Sequence, residues 1–228
     1  SRGLGDVYKR QIFMLFKPEY DENGKKVLCE MNGINSEMLM DIYVKKLKKG
    51  ETLEIIEENN ECAILLLSGD VTFKVGNEID EHCKRKNPFE KKPYAVHFCK
   101  QVKASVTANE ESEILVQMTD NEKTWKSEFY NPDNCLYQEF GKGQWNGTGH
   151  RIVSTMFDLD NAPQSNMVMG EVFNQPGRWS SYPPHYHPQP ELYYYQFDHP
   201  EGFGAGFEGN TPCLLYTSPS PRDISGSR

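Results

Sequence analysis

One stretch, Cys62–Glu78 ("CAILLLSGDVTFKVGNE"), limits the fold more than any other part of the chain. Six apolar residues in a row, Cys62–Leu67, have the length of a strand buried on both faces. "VTFKV" then alternates, so Val71, Phe73 and Val75 share one side of an extended segment. "SGD" and "GN" carry turn chemistry, and the stretch predicts a hairpin: strand, glycine turn, alternating strand, second turn. Similar short runs follow in "VKASVTA" (Val102–Ala108), "EILVQM" (Glu113–Met118), "RIVSTMF" (Arg151–Phe157), "MVMGEVF" (Met167–Phe173) and "ELYYYQF" (Glu191–Phe197). Long helical periodicity is absent. Short strands at close spacing predict an all-β sandwich or barrel. Thr119–Gly149 is polar and carries Trp125, Tyr130, Tyr137 and Trp145, which reads as a linker packing aromatics between two β-rich halves.

The two ends read differently. "SRGLGDVYKRQ" and "CLLYTSPSPRD" back-translate to inverted copies of one DNA element, as expected of a translated sequencing adapter. Residues 1–11 and 212–228 are therefore excluded from fold reasoning as non-native. The same reading expects native sequence to continue beyond Thr211. The excluded ends are net basic, so the remainder is more acidic than the whole chain's net charge of −8. An acidic surface repels phosphate backbones and argues against a nucleic-acid partner. No apolar run is long enough to span a bilayer, and no membrane partner is expected. Cys29, Cys62, Cys83, Cys99 and Cys135 are scattered and form no CxxC pair, as in reduced thiols of a cytoplasmic protein.

Chemistry concentrates in "SSYPPHYHPQPELYYY", Ser180–Tyr195. On a strand His185 and His187 project to one side, with Tyr186 on the other. A carboxylate from Glu191 would complete three ligands and leave positions open for substrate. The prolines around the pair remove backbone donors and suit a bend at a sheet rim. Spacing alone leaves a surface histidine pair equally open. His97 has no such arrangement and no carboxylate pattern beside it, which reads as a structural histidine in a metal-free first half. Glu171 could orient a ligand imidazole or stand half-exposed on a strand. Trp179 and Tyr182 read as rim aromatics, and Tyr194 as packing.

Glycine, HxH, three residues, glutamate and a later glycine (Gly177, His185, His187, Glu191, Gly202) resemble the first motif of the cupins. The longer run Gly170–Gly204, with "WSSYPPH" its most specific part, resembles the 5-deoxy-glucuronate isomerase family, bicupins of myo-inositol breakdown. The gap between HxH and glutamate is only "PQP", where many relatives carry a longer acidic insertion. The resemblance implies an all-β bicupin of two jelly-roll barrels, the second incomplete. It places an N-terminal cupin-like domain at 12–118, a linker at 119–149 and a partial C-terminal cupin with the metal motif at 150–211. It implies a divalent metal, zinc or manganese, with iron the alternative, held by His185, His187 and Glu191. A fourth histidine belongs to a later motif, so the chain ending here is expected to be inactive. The implied reaction is the aldose–ketose isomerisation of 5-deoxy-D-glucuronate to 2-deoxy-5-keto-D-gluconate. Arg178 could pair with the substrate carboxylate, and Tyr193 or Tyr195 could touch the sugar; the general base is unassigned. A homo-oligomer is compatible with this reading. A ferrous cupin oxygenase and a non-catalytic sugar-binding cupin are the alternatives.

Overall fold

The computed structural model describes residues 17–90, 92–180, 188–204, 206–211 and 214–218. The chain divides into two compact units, Glu19–Leu192 and the joined ends Ser1–Pro18 with Tyr193–Arg228. Within the second unit, β13 (Gly206–Thr211) and β14 (Leu214–Ser218) pair antiparallel. Everything else concerns the first unit.

Its strands are β1 (Lys25–Cys29), β2 (Asp41–Leu47), β3 (Thr52–Ile55), β4 (Asn60–Val75), β5 (Ile79–Arg85), β6 (Tyr94–Phe98), β7 (Ala104–Ala108), β8 (Ser112–Asp120), β9 (Glu128–Tyr130), β10 (Leu136–Phe140), β11 (Arg151–Phe157) and β12 (Met169–Asn174). β1 to β9 build an antiparallel sandwich. One layer has the order β1-β2-β8-β4-β6-β9; the other is β3-β7-β4-β5. β4 belongs to both: its first part pairs with β8 and β6, its last part with β7 and β5. The sheets are not closed, and the all-β class read from the sequence holds.

The apolar run behaves as its pattern predicts. Residues 61–67 are buried on both faces, and Val71, Phe73 and Val75 point together into the core. Cys62, Ile64 and Leu66 from one layer meet Val71, Phe73, Val106 and Cys83 from the other. Burying each large apolar side chain contributes about 1.5–3 kcal/mol.

The hairpin turn predicted at "SGD" does not form. Asn60–Val75 is one sixteen-residue strand that passes through Gly69 without reversing. Residues 68–70 keep ladder partners, Ser68 with Glu113 and Gly69 and Asp70 with Arg85 and Lys84. A register shift between Leu66 and Ser68 bends the strand from one layer to the other. Gly69 is needed for two reasons: its φ is +112°, and an added Cβ would lie 2.2 Å from Ser112 Oγ and 2.5 Å from Ser112 Cα. Ser112 Oγ in turn accepts the Asp70 N–H at 3.0 Å. The glycine thus serves close approach, not reversal. The real turn lies at Gly76, between Val75 and Ile79.

Gly69→Ala should destabilise the protein by about 3 kcal/mol in urea denaturation, through backbone strain and overpacking together. Gly50→Ala is the comparison, because its φ is +83° but nothing lies within 4 Å of an added Cβ. It should cost about 1 kcal/mol from strain alone, and an equal loss in the two variants would refute the close-approach explanation.

Candidate functional site

After β9 the chain forms a separate antiparallel sheet, β10-β11-β12, with two unlike faces. One packs against the sandwich. Register places Tyr137, Ser154 and Glu171 in one row and Ile152 with Phe173 in the next. A register shift between Thr155 and Phe157 keeps Phe157 and Met169 buried on this side. Phe173 meets Phe89 edge-on at 6.2 Å, and Lys92 Nζ sits 4.6 Å from the Tyr137 ring centroid. The opposite face, with Leu136, Phe140 and Val172 exposed, is open.

Two buried ion pairs hold the packed face. Arg85 on β5 is fully buried and donates to both carboxylate oxygens of Glu171 on β12, at 2.8 and 2.7 Å. Its Nη1 also donates to the Leu66 carbonyl at 2.8 Å. Such a fork binds a carboxylate with fixed geometry. The second pair joins Glu61 on β4 to His97 on β6, Nε2 to Oε2 at 2.9 Å, both side chains fully buried. Ser165 Oγ donates to Oε2 at 2.9 Å, Asn166 N–H to Oε1 at 2.6 Å, and Asn121 Nδ2 to Oε1 at 3.2 Å. Burial works to raise the Glu61 carboxyl pKa, yet the hydrogen bonds from His97, Asn166, Ser165 and Asn121 outweigh it and hold it below the usual range. The His97 ring stacks on Phe157 at 4.0 Å with planes 7° apart.

These two pairs correct the sequence reading. His97 does have a carboxylate, brought from the adjoining strand and thirty-six positions away in the chain. Glu171 orients no imidazole; it neutralises a buried arginine. The only sequence signals were a glutamate heading an apolar run in "ECAILLL" and a histidine inside "YAVHF". Thr119–Gly149, read as a linker, contains β9, which pairs with β6, and β10, which pairs with β11.

Of the expected metal ligands, His185 and His187 lie outside the described residues. Glu191 is exposed. No strand is assigned to 191–197, where one was expected; tyrosines and alternation alone do not make a strand without a laddered neighbour. Tyr193 and Tyr195 are 42% and 59% exposed and stack on each other at 6.1 Å. The Arg178 side chain is exposed, with Nη1 on the Asn146 carbonyl at 3.3 Å. Among the described residues no group of three or more His, Cys, Asp or Glu could hold a metal ion. Cys29, Cys62, Cys83, Cys99 and Cys135 are free and buried, and burial pushes the Cys83 thiol up to about 12 and those of Cys29 and Cys135 to about 11. Such thiols are poor nucleophiles. No helix among the described residues is long and apolar enough to cross a membrane.

Glu171→Ala strands the buried Arg85 charge and should cost about 3 kcal/mol by chemical denaturation; a loss below about 1 kcal/mol would mean that the pair is solvent-compensated. Glu61 carries an acid-sensitive contribution. Its folded pKa is depressed, so the stabilisation is complete above the unfolded value of about 4.3 and fades as pH falls below it. Glu61→Gln, which presents an amide to converging donors, should be less stable at pH 7. The difference from wild type should shrink in melts taken below about pH 4, and a pH-independent difference would contradict an ionised Glu61.

A model of the KduI/IolB family matches residues 14–209. The chain is 28% identical over 205 residues to a Bacillus licheniformis protein named 5-deoxy-glucuronate isomerase, covering 83% of this chain and 74% of that one. A Geobacillus thermodenitrificans protein of the same name is 29% identical over 205 residues, with 85% and 72% covered. Among solved structures, an IolB-like protein from Salmonella typhimurium LT2 superposes with a TM-score of 0.56 at 22% identity, over 63% of this chain and 54% of that one. The chain thus spans just over half the length of that structure, and the likeness speaks for the fold. The family match runs through the sandwich, the second sheet and the histidine motif, and on that extent the chain belongs to the KduI/IolB family.

Proposed function

We propose that this protein is an isomerase acting on 5-deoxy-D-glucuronate and yielding 2-deoxy-5-keto-D-gluconate, a step of myo-inositol breakdown. The observation that carries this reading is the agreement in name among relatives that match most of the chain, within the family matched over 14–209. The reaction moves a proton between neighbouring carbons while an aldehyde and a hydroxyl exchange places. It needs an electrophile for the oxygens and an acid–base group for the proton.

Two imidazoles and a carboxylate form a donor set suited to a divalent transition metal, zinc or manganese before iron. His185, His187 and Glu191 would hold it, and a cation bound there supplies electrophilic stabilisation of the charge that builds on the sugar oxygens. Arg178, Tyr193 and Tyr195 are the residues that would meet the sugar acid. The stacked tyrosines offer hydroxyl donors beside a flat apolar surface that a sugar ring can cover. A small sugar acid is the partner in this reading. The buried free thiols support a reducing compartment, the cytoplasm.

The test is isomerisation of 5-deoxy-glucuronate by the full chain, followed by product analysis, with metal content measured on the same samples. His185→Ala and His187→Ala should each lose stoichiometric metal and turnover. Metal retained at wild-type levels in both variants would remove these histidines from the site, and an inactive, metal-loaded wild type would end the isomerase reading.

A further inference from the structure

The open face of the β10-β11-β12 sheet has one ionised side chain. Leu136, Phe140, Val153 and Val172 make the face largely apolar, and Arg151 stands among them, paired across β11 to Phe140 on β10 and Asn174 on β12. Arg151 is half-buried. Its guanidinium lies 5.1 Å from the Phe140 ring centroid, and Nη1 donates to the Gly149 carbonyl at 3.1 Å. Both contacts orient the fork and neither neutralises it: among the described residues Arg151 has no carboxylate partner. Arg85, the buried guanidinium on the other side of this sheet, has Glu171.

The chain beyond β12 returns to this spot. Trp179 N–H donates to the Thr148 carbonyl at 2.8 Å, and Arg178 Nη1 reaches Asn146 in the same turn. The segment that leads into the histidine motif is thereby anchored within three positions of Arg151, and His185 follows Trp179 by six residues. Six residues span at most about 20 Å, so a ligand held by the motif lies within chain reach of Arg151. An oriented guanidinium on an apolar wall, lacking a counter-charge, suits a planar carboxylate.

We infer that Arg151 binds the carboxylate of the sugar-acid substrate and sets the preference for an acid over a neutral sugar. The inference rests on the isomerase reading for the identity of that acid. Arg178 is the weaker candidate, since it is exposed and its guanidinium rests on a turn carbonyl.

The experiment compares binding of 5-deoxy-glucuronate and of its uncharged carboxamide to the metal-loaded full chain by calorimetry, in wild type, Arg151→Gln, Arg151→Lys and Arg178→Gln. Arg151→Gln should weaken the acid about ten- to a hundredfold and leave the carboxamide within about twofold; Arg151→Lys should recover part of the loss, and Arg178→Gln should keep the preference for the acid. In turnover the Arg151→Gln effect should fall on KM, with kcat little changed. No acid preference in wild type, its retention in Arg151→Gln, or its loss in Arg178→Gln would each overturn the assignment. Wild type that prefers the acid without isomerising it would sink the isomerase reading and leave Arg151 as a carboxylate contact, so the two failures are separable.

Discussion

A carboxylate with no access to water organises this molecule. Glu61 sits at the start of the longest strand, on the face of the sandwich turned away from its own core, where an uncompensated charge would be very costly. It is tolerated because four donors converge on it, and they come from distant parts of the chain: His97 from β6, Asn121 after β8, and Ser165 and Asn166 from the segment before β12. Satisfying that one group requires the 158–168 connection to lie against the sandwich. Once it does, Phe157 is placed over the His97 ring and the second sheet begins in a defined position.

Arg85 and Glu171 act as a second fastener further along the same interface. A single pair would locate the sheet but leave it free to pivot; two pairs on different strands restrict its orientation as well. Both pairs are polar and both are shielded, so the contact between sandwich and second sheet depends on partners being matched, not only on apolar area. The family to which the chain belongs is one in which function is argued from the second half. In this structure that half is positioned by polar groups of the first, which gives the metal-free sandwich a role beyond bulk.

That arrangement also divides the second sheet into a face that is committed and a face that is available. Glu171, Phe173 and Phe157 point at the sandwich, and alternation along the strands necessarily points Arg151, Val153 and Val172 the other way. The loop at 145–149 gathers Arg151 and the Arg178–Trp179 segment around its carbonyls, so the route to the histidine motif starts beside the only ionised group on the available face.

Much of this was legible in one dimension. The alternation of Val71, Phe73 and Val75, the doubly buried Cys62–Leu67 run and the strand at Arg151–Phe157 follow from local period and propensity, which depend on neighbours in the chain. The histidine motif was legible for the same reason, since three ligating side chains within seven positions need no long-range information to be noticed. Gly69 was misread because a glycine that permits close approach and a glycine that permits a turn look alike until Ser112 is seen against it. His97 was read as lacking a carboxylate, and Glu171 as a ligand-orienting or half-exposed residue, because their partners are thirty-six and eighty-six positions away. By itself the sequence determined the all-β class, the sided strands and the residues that can ligate a cation, all consequences of short-range pattern. Only the tertiary structure decided which charges are buried together and which arginine is left facing outward, because pairing across sheets depends on strand order and register, and no local window contains either.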